Sequence, residues 1–204
     1  MFTGLIREMA KVVDFANNIL TVNATYKPNI GDSIAINGAC LTVVEVGNSY
    51  FKVELSPETQ NILAMENYKD TVHIEPAMSM GDRFEGHIVQ GHVDCLGTIV
   101  NIEPNGNSTD FYISIPSEFM RYIIPKGSIT VDGVSLTVND ILKDNFRLTI
   151  IPHTIENTLF QTYQIGTKVN IETDMFARYI YNMFKKDDEQ SLSWDMVDSI
   201  MSRY

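Results

Sequence analysis

Two stretches of the chain place small, chemically useful side chains at matching positions. They read NGACLTV at residues 37–43 and DGVSLTV at residues 132–138, so that Cys40 and Ser135 each stand two residues before a threonine. A thiolate is the better nucleophile, which makes Cys40 the stronger candidate to add to a ligand, with Ser135 in the equivalent place. The competing interpretation is that both are small residues that only leave room for a ligand.

Histidines supply a second set of candidates, because their charge changes near neutral pH. His92 lies in GHIVQGHVD at residues 86–94, between the two stretches, together with His87. Its position suits either a proton shuttle or a structural hydrogen-bond donor in a tight loop. His153 stands where the other half of the chain has Glu58, which indicates that the two halves do unequal jobs.

The composition excludes several classes of function. The chain has 26 acidic against 15 basic residues and a net charge of −11, which disfavours a nucleic-acid partner. No apolar run is long enough to span a membrane and no leader pattern opens the chain. Two cysteines are too few for a disulfide scaffold, which favours a reducing cytoplasm. Cys95 is expected to be a buried residue that fills space in a strand. CxxC, HExxH, Walker and GxGxxG motifs are lacking, so neither a metal nor a nucleotide cofactor is expected.

The matching stretches belong to a longer internal repeat. Residues 33–43 and 128–138 share six of eleven positions at an offset of 95, where chance predicts about one. The same offset aligns Pro57 and Thr59 with Pro152 and Thr154. VHIE at residues 72–75 pairs with VNIE at residues 169–172 after a two-residue slip, and Gly4 is matched more weakly with Gly97. We interpret the chain as a duplicated domain.

Each copy has the pattern of an all-β fold. Runs rich in β-branched residues at 19–24, 33–36, 41–46, 51–55 and 71–74 are separated by Gly, Asn, Asp and Pro. About six strands in some 90 residues predict a small closed Greek-key barrel, because closure removes exposed edges. His73 alternates out of its strand and is expected to be solvated. Helical turns are expected at 61–65 and 116–123.

The end of the chain departs from the β pattern. Residues 175–184 carry apolar side chains at helical spacing, with Asp174 as the N-cap, and residues 191–204 are expected to form a last short helix. This predicts three parts: barrels over residues 1–87 and 88–174, and a helical assembly segment over residues 175–204.

Together with MFTG at residues 1–4, these motifs resemble the riboflavin synthase family over about residues 1–185. The resemblance implies two six-stranded barrels with a C-terminal helix, acting in the cytoplasm. It implies a dismutation of two molecules of 6,7-dimethyl-8-ribityllumazine, by four-carbon transfer, to riboflavin and 5-amino-6-ribitylamino-pyrimidinedione. It also implies that no cofactor or metal takes part. It further implies a homotrimer with sites between subunits, and lumazine synthase as a partner.

The resemblance and the repeat together assign the site residues. The catalytic set is Cys40, His92, Ser135 and Thr137. Lys126 is assigned to a neighbouring subunit's ligand or to an exposed turn, and Asp174 to the ribityl hydroxyls, to the N-cap, or to both. The full substrate-binding set comprises Phe2, Thr3, Gly4, Leu5, Ile6, Cys40, Leu41, Thr42, Glu54, Leu55, Ser56, Pro57, Glu58, Thr59, Gly91, His92, Val93, Lys126, Ser135, Leu136, Thr137, Thr149, Ile150, Ile151, Pro152, His153, Thr154 and Asp174.

Two other functions compete with this one. A non-catalytic antenna protein of the same fold would bind a lumazine or flavin, but such relatives typically keep one competent pocket, whereas both copies here retain Leu-Thr-Val and Pro-x-Thr. A flavin barrel of the ferredoxin-reductase type would need an Arg-x-Tyr-Ser motif and a following nucleotide domain, and the sequence has neither.

Overall fold

The computed structural model describes residues 1–189 and contains two closed antiparallel barrels of six strands each. Around the ring of the first barrel, the six strands follow the order 1-2-5-4-3-6 of their succession along the chain, and the second barrel repeats this order. The duplication and the barrel fold predicted from the sequence are therefore confirmed. The strands of the first barrel are β1 (Glu8–Ala16), β2 (Ile19–Asn23), β3 (Ser33–Ile36), β4 (Ala39–Val46), β5 (Tyr50–Glu54) and β6 (Thr71–Pro76).

The second barrel is followed by the longest helix described. Its strands are β7 (Cys95–Asn105), β8 (Ser108–Ser114), β9 (Ser128–Val131), β10 (Val134–Ile141), β11 (Phe146–Ile150) and β12 (Lys168–Thr173). Short helices α1 (Pro57–Ile62), α2 (Ser117–Met120) and α3 (Pro152–Glu156) lie in the connections, and α4 (Met175–Glu189) follows β12. The helical turn expected at 61–65 begins earlier, because Ser56 caps α1 through a 3.1 Å hydrogen bond from the Thr59 amide and Pro57 suits its first turn.

Each barrel has its own hydrophobic core, formed by residues that alternate along the strands. In β5, Phe51 and Val53 are buried while their neighbours face outward, and Phe146 and Leu148 repeat this in β11. Side chains on alternate positions of a strand point to opposite faces, so every strand contributes one inward row. The predicted filler Cys95 is buried at the start of β7, where burial raises the pKa of its thiol to about 12.

The tips of two equivalent hairpins meet where the barrels touch. Asn37 and Gly38 link β3 to β4 with φ of 44° and 82°, and Asp132 and Gly133 link β9 to β10 with the same values. Positive φ at both positions is the signature of a type I′ turn. A Cβ on Gly38 would lie 2.7 Å from the Gly133 nitrogen, so the close approach of the two tips requires glycine.

His73 lies at this seam and is fully buried, so the prediction of a solvated side chain is wrong. Its Nδ1 lies 2.8 Å from the Asp132 carbonyl oxygen, and its Nε2 accepts a 2.7 Å hydrogen bond from the Leu159 amide. The side chain does alternate outward from its strand, but the outer face of β6 is covered by the second barrel. Desolvation lowers the pKa of His73 to about 4 and keeps the ring neutral.

Helix α4 packs one face on the second barrel, and within residues 1–189 the large apolar side chains of its other face are exposed. Arg178 forms a 2.6 Å ion pair with Asp94, and Tyr181 stacks edge-on against Tyr122 with ring centroids 5.4 Å apart. The predicted N-cap is confirmed by a 2.8 Å hydrogen bond from the Phe176 amide to Asp174. No helix within residues 1–189 is long and apolar enough to cross a membrane. The helix predicted at 191–204 lies outside the described residues.

Candidate functional site

Two backbone segments run side by side between the barrels: an opening segment, residues 1–6, and a linking segment, residues 86–93. The Phe2 amide donates to the Val89 carbonyl at 2.7 Å, and the Val89 amide donates back to Phe2 at 3.1 Å. This reciprocal pair is an antiparallel bridge. The segments that start the two barrels are thus held together at the centre of the molecule.

Each segment then reaches across to the barrel that it does not start. The Gly4 carbonyl accepts the Ser135 amide at 2.7 Å in the second barrel, and the Gly91 carbonyl accepts the Cys40 amide at 2.8 Å in the first. The repeat partner of Gly4 is therefore Gly91, and the sequence match to Gly97 is wrong, because Gly97 lies inside β7. Gly4 and Gly91 have φ of 80° and 77°, and a Cβ on either would come within 2.6 Å of the facing side chain.

The crossing also joins the hydrophobic cores. Ile6, two residues after Gly4, packs against the core of the second barrel. Val93, two residues after Gly91, packs against the core of the first barrel. Burial of each apolar side chain by the opposite barrel favours the crossed arrangement over two independent domains.

The residues predicted for the first pocket lie on three stretches of the structure. Leu41 is buried in the core, whereas Thr42 on the same strand is exposed and Cys40 is a free, partly buried thiol. β4 pairs with β5, and the side chains at the end of β5 and the start of α1 are mostly exposed. The predicted set comprises Cys40, Leu41, Thr42, Glu54, Leu55, Ser56, Pro57, Glu58 and Thr59 from the first barrel, with Gly91, His92 and Val93 from the linking segment, which is joined to Cys40 through Gly91.

The residues predicted for the second pocket have the equivalent placement on the second barrel. Leu136 is partly buried against the core, and Thr137 is exposed on β10. The predicted set comprises Ser135, Leu136, Thr137, Thr149, Ile150, Ile151, Pro152, His153 and Thr154, with Gly4, Leu5 and Ile6 from the opening segment, which is joined to Ser135 through Gly4.

A residue missing from the predicted catalytic set lies beside Ser135. His87 is nine-tenths buried, and its Nδ1 lies 2.7 Å from the Ser135 hydroxyl oxygen. Burial lowers the pKa of His87, and the Asp174 carboxylate opposes that shift. A neutral imidazole is therefore in hydrogen-bond reach of a hydroxyl, an arrangement that can accept or return a proton. His92, the histidine predicted from the sequence, is exposed and donates its backbone amide to Glu172 at 3.1 Å.

Comparison with known proteins identifies the family. The lumazine binding domain matches residues 3–77 and 90–174. Riboflavin synthase of Photobacterium phosphoreum is 40% identical over 212 residues, covering 97% of both chains. The enzyme of Actinobacillus pleuropneumoniae is also 40% identical, covering 97% of this chain and 98% of its own. The chain belongs to the riboflavin synthase family. The Bacillus subtilis enzyme, 36% identical over 211 residues, extends the agreement over 99% of this chain.

Solved structures of the same fold carry ligands. LumP complexed with 6,7-dimethyl-8-(1'-D-ribityl) lumazine superposes with a TM-score of 0.72 at 21% identity, covering 85% of this chain and 99% of that chain. LumP complexed with riboflavin gives a TM-score of 0.75 at 20% identity with the same coverage. At 20–21% identity, this similarity establishes only that this riboflavin synthase family member shares its fold with LumP.

Several predicted ligand contacts have structural partners within the chain. Phe2 is fully buried with Ala35 and Val89, and Cys40 packs against this cluster. The Thr149 hydroxyl donates to Asp110 at 2.6 Å, within a network that includes Arg147. These partners limit how far the Thr149 hydroxyl can turn away from Asp110.

Lys126 stands in an unusual backbone conformation for a lysine. Its φ is 66°, and its amide donates to the Val138 carbonyl at 2.8 Å. The equivalent residue of the first barrel is Gly31, with φ of 92° and the same hydrogen bond to Val43. A side chain in this left-handed region costs about 1–2 kcal/mol, so the exposed lysine occupies a turn that favours glycine.

Proposed function

We propose that this chain is a riboflavin synthase that converts two molecules of 6,7-dimethyl-8-ribityllumazine to riboflavin and 5-amino-6-ribitylamino-pyrimidinedione. The observation that carries the proposal is a pair of equivalent contacts, Gly4 with Ser135 and Gly91 with Cys40, in a chain whose full-length relatives are riboflavin synthases. One lumazine gives its four-carbon unit to the other. A duplicated pocket suits a reaction whose two substrates are identical.

Most of the rate enhancement comes from bringing two lumazines together. Holding both reactants in one geometry turns a bimolecular step into a local one and can lower the barrier by ~7–11 kcal/mol. The 7-methyl group is already acidic, because its carbanion is delocalised into the ring. Side chains then need only move protons, a contribution of about 10²–10⁴-fold per group.

The catalytic assignments rest on what each pocket offers. Ser135 and the neutral ring of His87 form a hydrogen-bonded pair that supports proton transfer in the second pocket. Cys40 is assigned the addition at the lumazine C7 in the first pocket, because its thiol is free. His92 and Thr137 stay in the proposed catalytic set as exposed groups at the pocket rims. Asp174 acts on His87 electrostatically and caps α4.

The assembly we infer is a homotrimer in which the first pocket of one subunit faces the second pocket of another. Thr42, Thr137 and His153 are exposed in the single chain, so a bound ring would stay open to water until a second subunit covered it. Helix α4 supplies an apolar surface for such contacts. A cytoplasmic setting and an association with lumazine synthase belong to the same proposal, as do domain limits at 87/88 and 174/175.

A single-turnover assay tests the proposal. The purified chain is mixed with 6,7-dimethyl-8-ribityllumazine, and riboflavin is followed by its fluorescence. We expect riboflavin and the pyrimidinedione in a 1:1 ratio. Tight binding of lumazine without riboflavin formation would reject the enzyme and favour the antenna function.

A further inference from the structure

Two buried glutamates bind the backbone of the opening and linking segments and take no part in the chemistry described so far. Glu75 on β6 and Glu172 on β12 occupy equivalent places in the repeat, and each is only 4% exposed. Buried carboxylates are rare unless their charge is satisfied. Their hydrogen-bond partners therefore indicate what they hold.

Glu75 binds the backbone of the opening segment. One carboxylate oxygen accepts the Thr3 amide at 2.8 Å and the Thr3 hydroxyl at 2.9 Å, and the other accepts the Gly4 amide at 3.1 Å. The carbonyl of the same residue, Gly4, accepts the Ser135 amide. Glu75 of the first barrel is therefore connected through Gly4 to Ser135 of the second barrel.

Glu172 binds the linking segment in the same manner. Its carboxylate accepts the amides of Gln90 at 2.7 Å, Gly91 at 2.9 Å and His92 at 3.1 Å. The Gly91 carbonyl then accepts the Cys40 amide. Glu172 of the second barrel is therefore connected through Gly91 to Cys40 of the first barrel, which is the equivalent of the arrangement at Glu75.

The chemistry of these contacts suits a device that fixes backbone. Hydrogen bonds from backbone amides to a carboxylate are charge-assisted and about twice as strong as neutral ones. Several donors converging on one carboxylate fix a turn whose glycine would otherwise be conformationally free. Burial raises the pKa of Glu172 to about 7, and the Gln90 and Gly91 amides oppose that rise by favouring the charged form.

We propose that Glu75 and Glu172 are positioning residues, each of which holds the backbone turn that completes the pocket of the opposite barrel. The effect is crossed: Glu75 sets Gly4 against Ser135, and Glu172 sets Gly91 against Cys40. This inference rests on the proposed function for the identity of the ligand. The crossing itself is a property of the free protein and is measurable without ligand.

The test compares Glu75→Gln and Glu172→Gln in the full chain. A glutamine keeps the shape but turns an amino group toward amide donors that need an acceptor. We expect E172Q to shift the backbone amide NMR signal of Cys40 and to leave that of Ser135 unchanged, with the reverse for E75Q. The matched control is Asp132→Asn, which alters a buried carboxyl that binds neither segment and places there the residue found at Asn37 in the other repeat.

Ligand binding extends the comparison. In a titration with riboflavin followed at the same two amides, E172Q should raise the Kd of the first pocket about tenfold and E75Q that of the second. With lumazine as substrate, KM should rise by a similar factor in both variants. D132N should move none of these quantities.

The outcomes separate this inference from the proposed function. Shifts confined to the variant's own barrel, or no shift at either amide, overturn the positioning role even if the unmodified chain makes riboflavin. A crossed pattern in a chain that makes no riboflavin supports the positioning role and rejects the enzyme. If a glutamine variant does not fold, hydrogen exchange of the unmodified chain decides: slow exchange of the Gly4 and Gly91 amides is required, and exchange as fast as in exposed loops contradicts the proposal.

Discussion

His73 and Asn170 occupy equivalent positions in the repeat and make equivalent hydrogen bonds with different side chains. The side-chain nitrogen of Asn170 donates to the Asn37 carbonyl at 2.8 Å, and its side-chain oxygen accepts the Ala64 backbone amide at 2.8 Å. The neutral His73 ring makes the equivalent pair of contacts to Asp132 and Leu159. An imidazole with one N–H thus substitutes for an amide, but only while it stays unprotonated.

This difference predicts an acid sensitivity that His73→Asn should remove. Burial lowers the pKa of His73 from 6.5 in the unfolded chain to about 4 in the folded chain. The contribution of the neutral ring to the free energy of unfolding is therefore complete above pH 6.5 and is lost as the pH falls toward 4. We expect a loss of about 3 kcal/mol across that interval. Denaturant unfolding at several pH values measures it.

The comparison with His73→Asn isolates the histidine from its neighbours. Asp132 has the opposite dependence, because burial raises the pKa of its carboxyl to about 7 and its contribution declines as the pH rises toward that value. That dependence is common to both proteins and cancels in the difference. Equal pH slopes in the wild-type and variant chains would show that the ring is not buried in solution.

Cys40 offers a second test at the level of a single residue. Its backbone amide binds Gly91 and its side chain is small, so Cys40→Ala should keep the fold. If the thiol assists addition to the ring, turnover should fall by about 10–10³-fold, as expected for the loss of one catalytic group. Steady-state riboflavin formation and thermal unfolding are compared in the same preparation. Full activity would assign Cys40 to packing.

At the scale of elements, α4 presents an apolar stripe to solvent. Its inner face is occupied by Arg178 and Tyr181, which contact the second barrel. The outer face carries side chains at helical spacing that are each more than half exposed. These are Phe176, Tyr179, Ile180, Met183 and Phe184. Such a stripe is the pattern of a helix that packs against another apolar surface.

We predict that Ile180→Glu with Met183→Glu dissociates the assembly and leaves the barrels folded. The substitutions place charges on the outer stripe and spare the inner contacts. Light scattering should report monomers, and activity should fall with them, because the site we propose needs two subunits. Ile165→Glu, a matched change at an exposed residue outside the helix, should alter neither. An active monomer would contradict the shared site.

At the scale of the whole molecule, the two barrels are separate cores joined by exchanged segments. Residues 1–87 contain all six strands of the first barrel, and a domain of about 90 residues can fold alone. The first pocket that we propose, however, also takes Gly91, His92 and Val93 from beyond that point, where Gly91 bonds to Cys40 and Val93 packs against the first core. A fragment of one repeat therefore has an incomplete pocket.

We predict that the fragment of residues 1–87 folds but binds 6,7-dimethyl-8-ribityllumazine about tenfold more weakly than the first pocket of the full chain. Fluorescence titration measures the affinity, and circular dichroism establishes folding. Undiminished affinity would mean that the linking segment adds nothing to binding. An unfolded fragment would mean that the first barrel depends on the second for its stability.

Local patterns in the sequence determined the duplication, the strands and helix α4. The Asn-Gly and Asp-Gly turns, the alternation along β5 and the cap at Asp174 each involve residues close in the chain, where backbone sterics and side-chain periodicity act directly. The repeat by itself makes Cys40 and Ser135 equivalent, because its offset of 95 aligns one with the other.

Only the tertiary structure decided which residues contact each other across the centre of the molecule. His73 alternates outward from its own barrel, but the second barrel lies there and excludes water. The contact between His87 and Ser135 joins residues 48 apart, and that between Gln90 and Glu172 joins residues 82 apart. Hydrogen bonds at such separations depend on how the two barrels dock, and no strand or helix period encodes that docking.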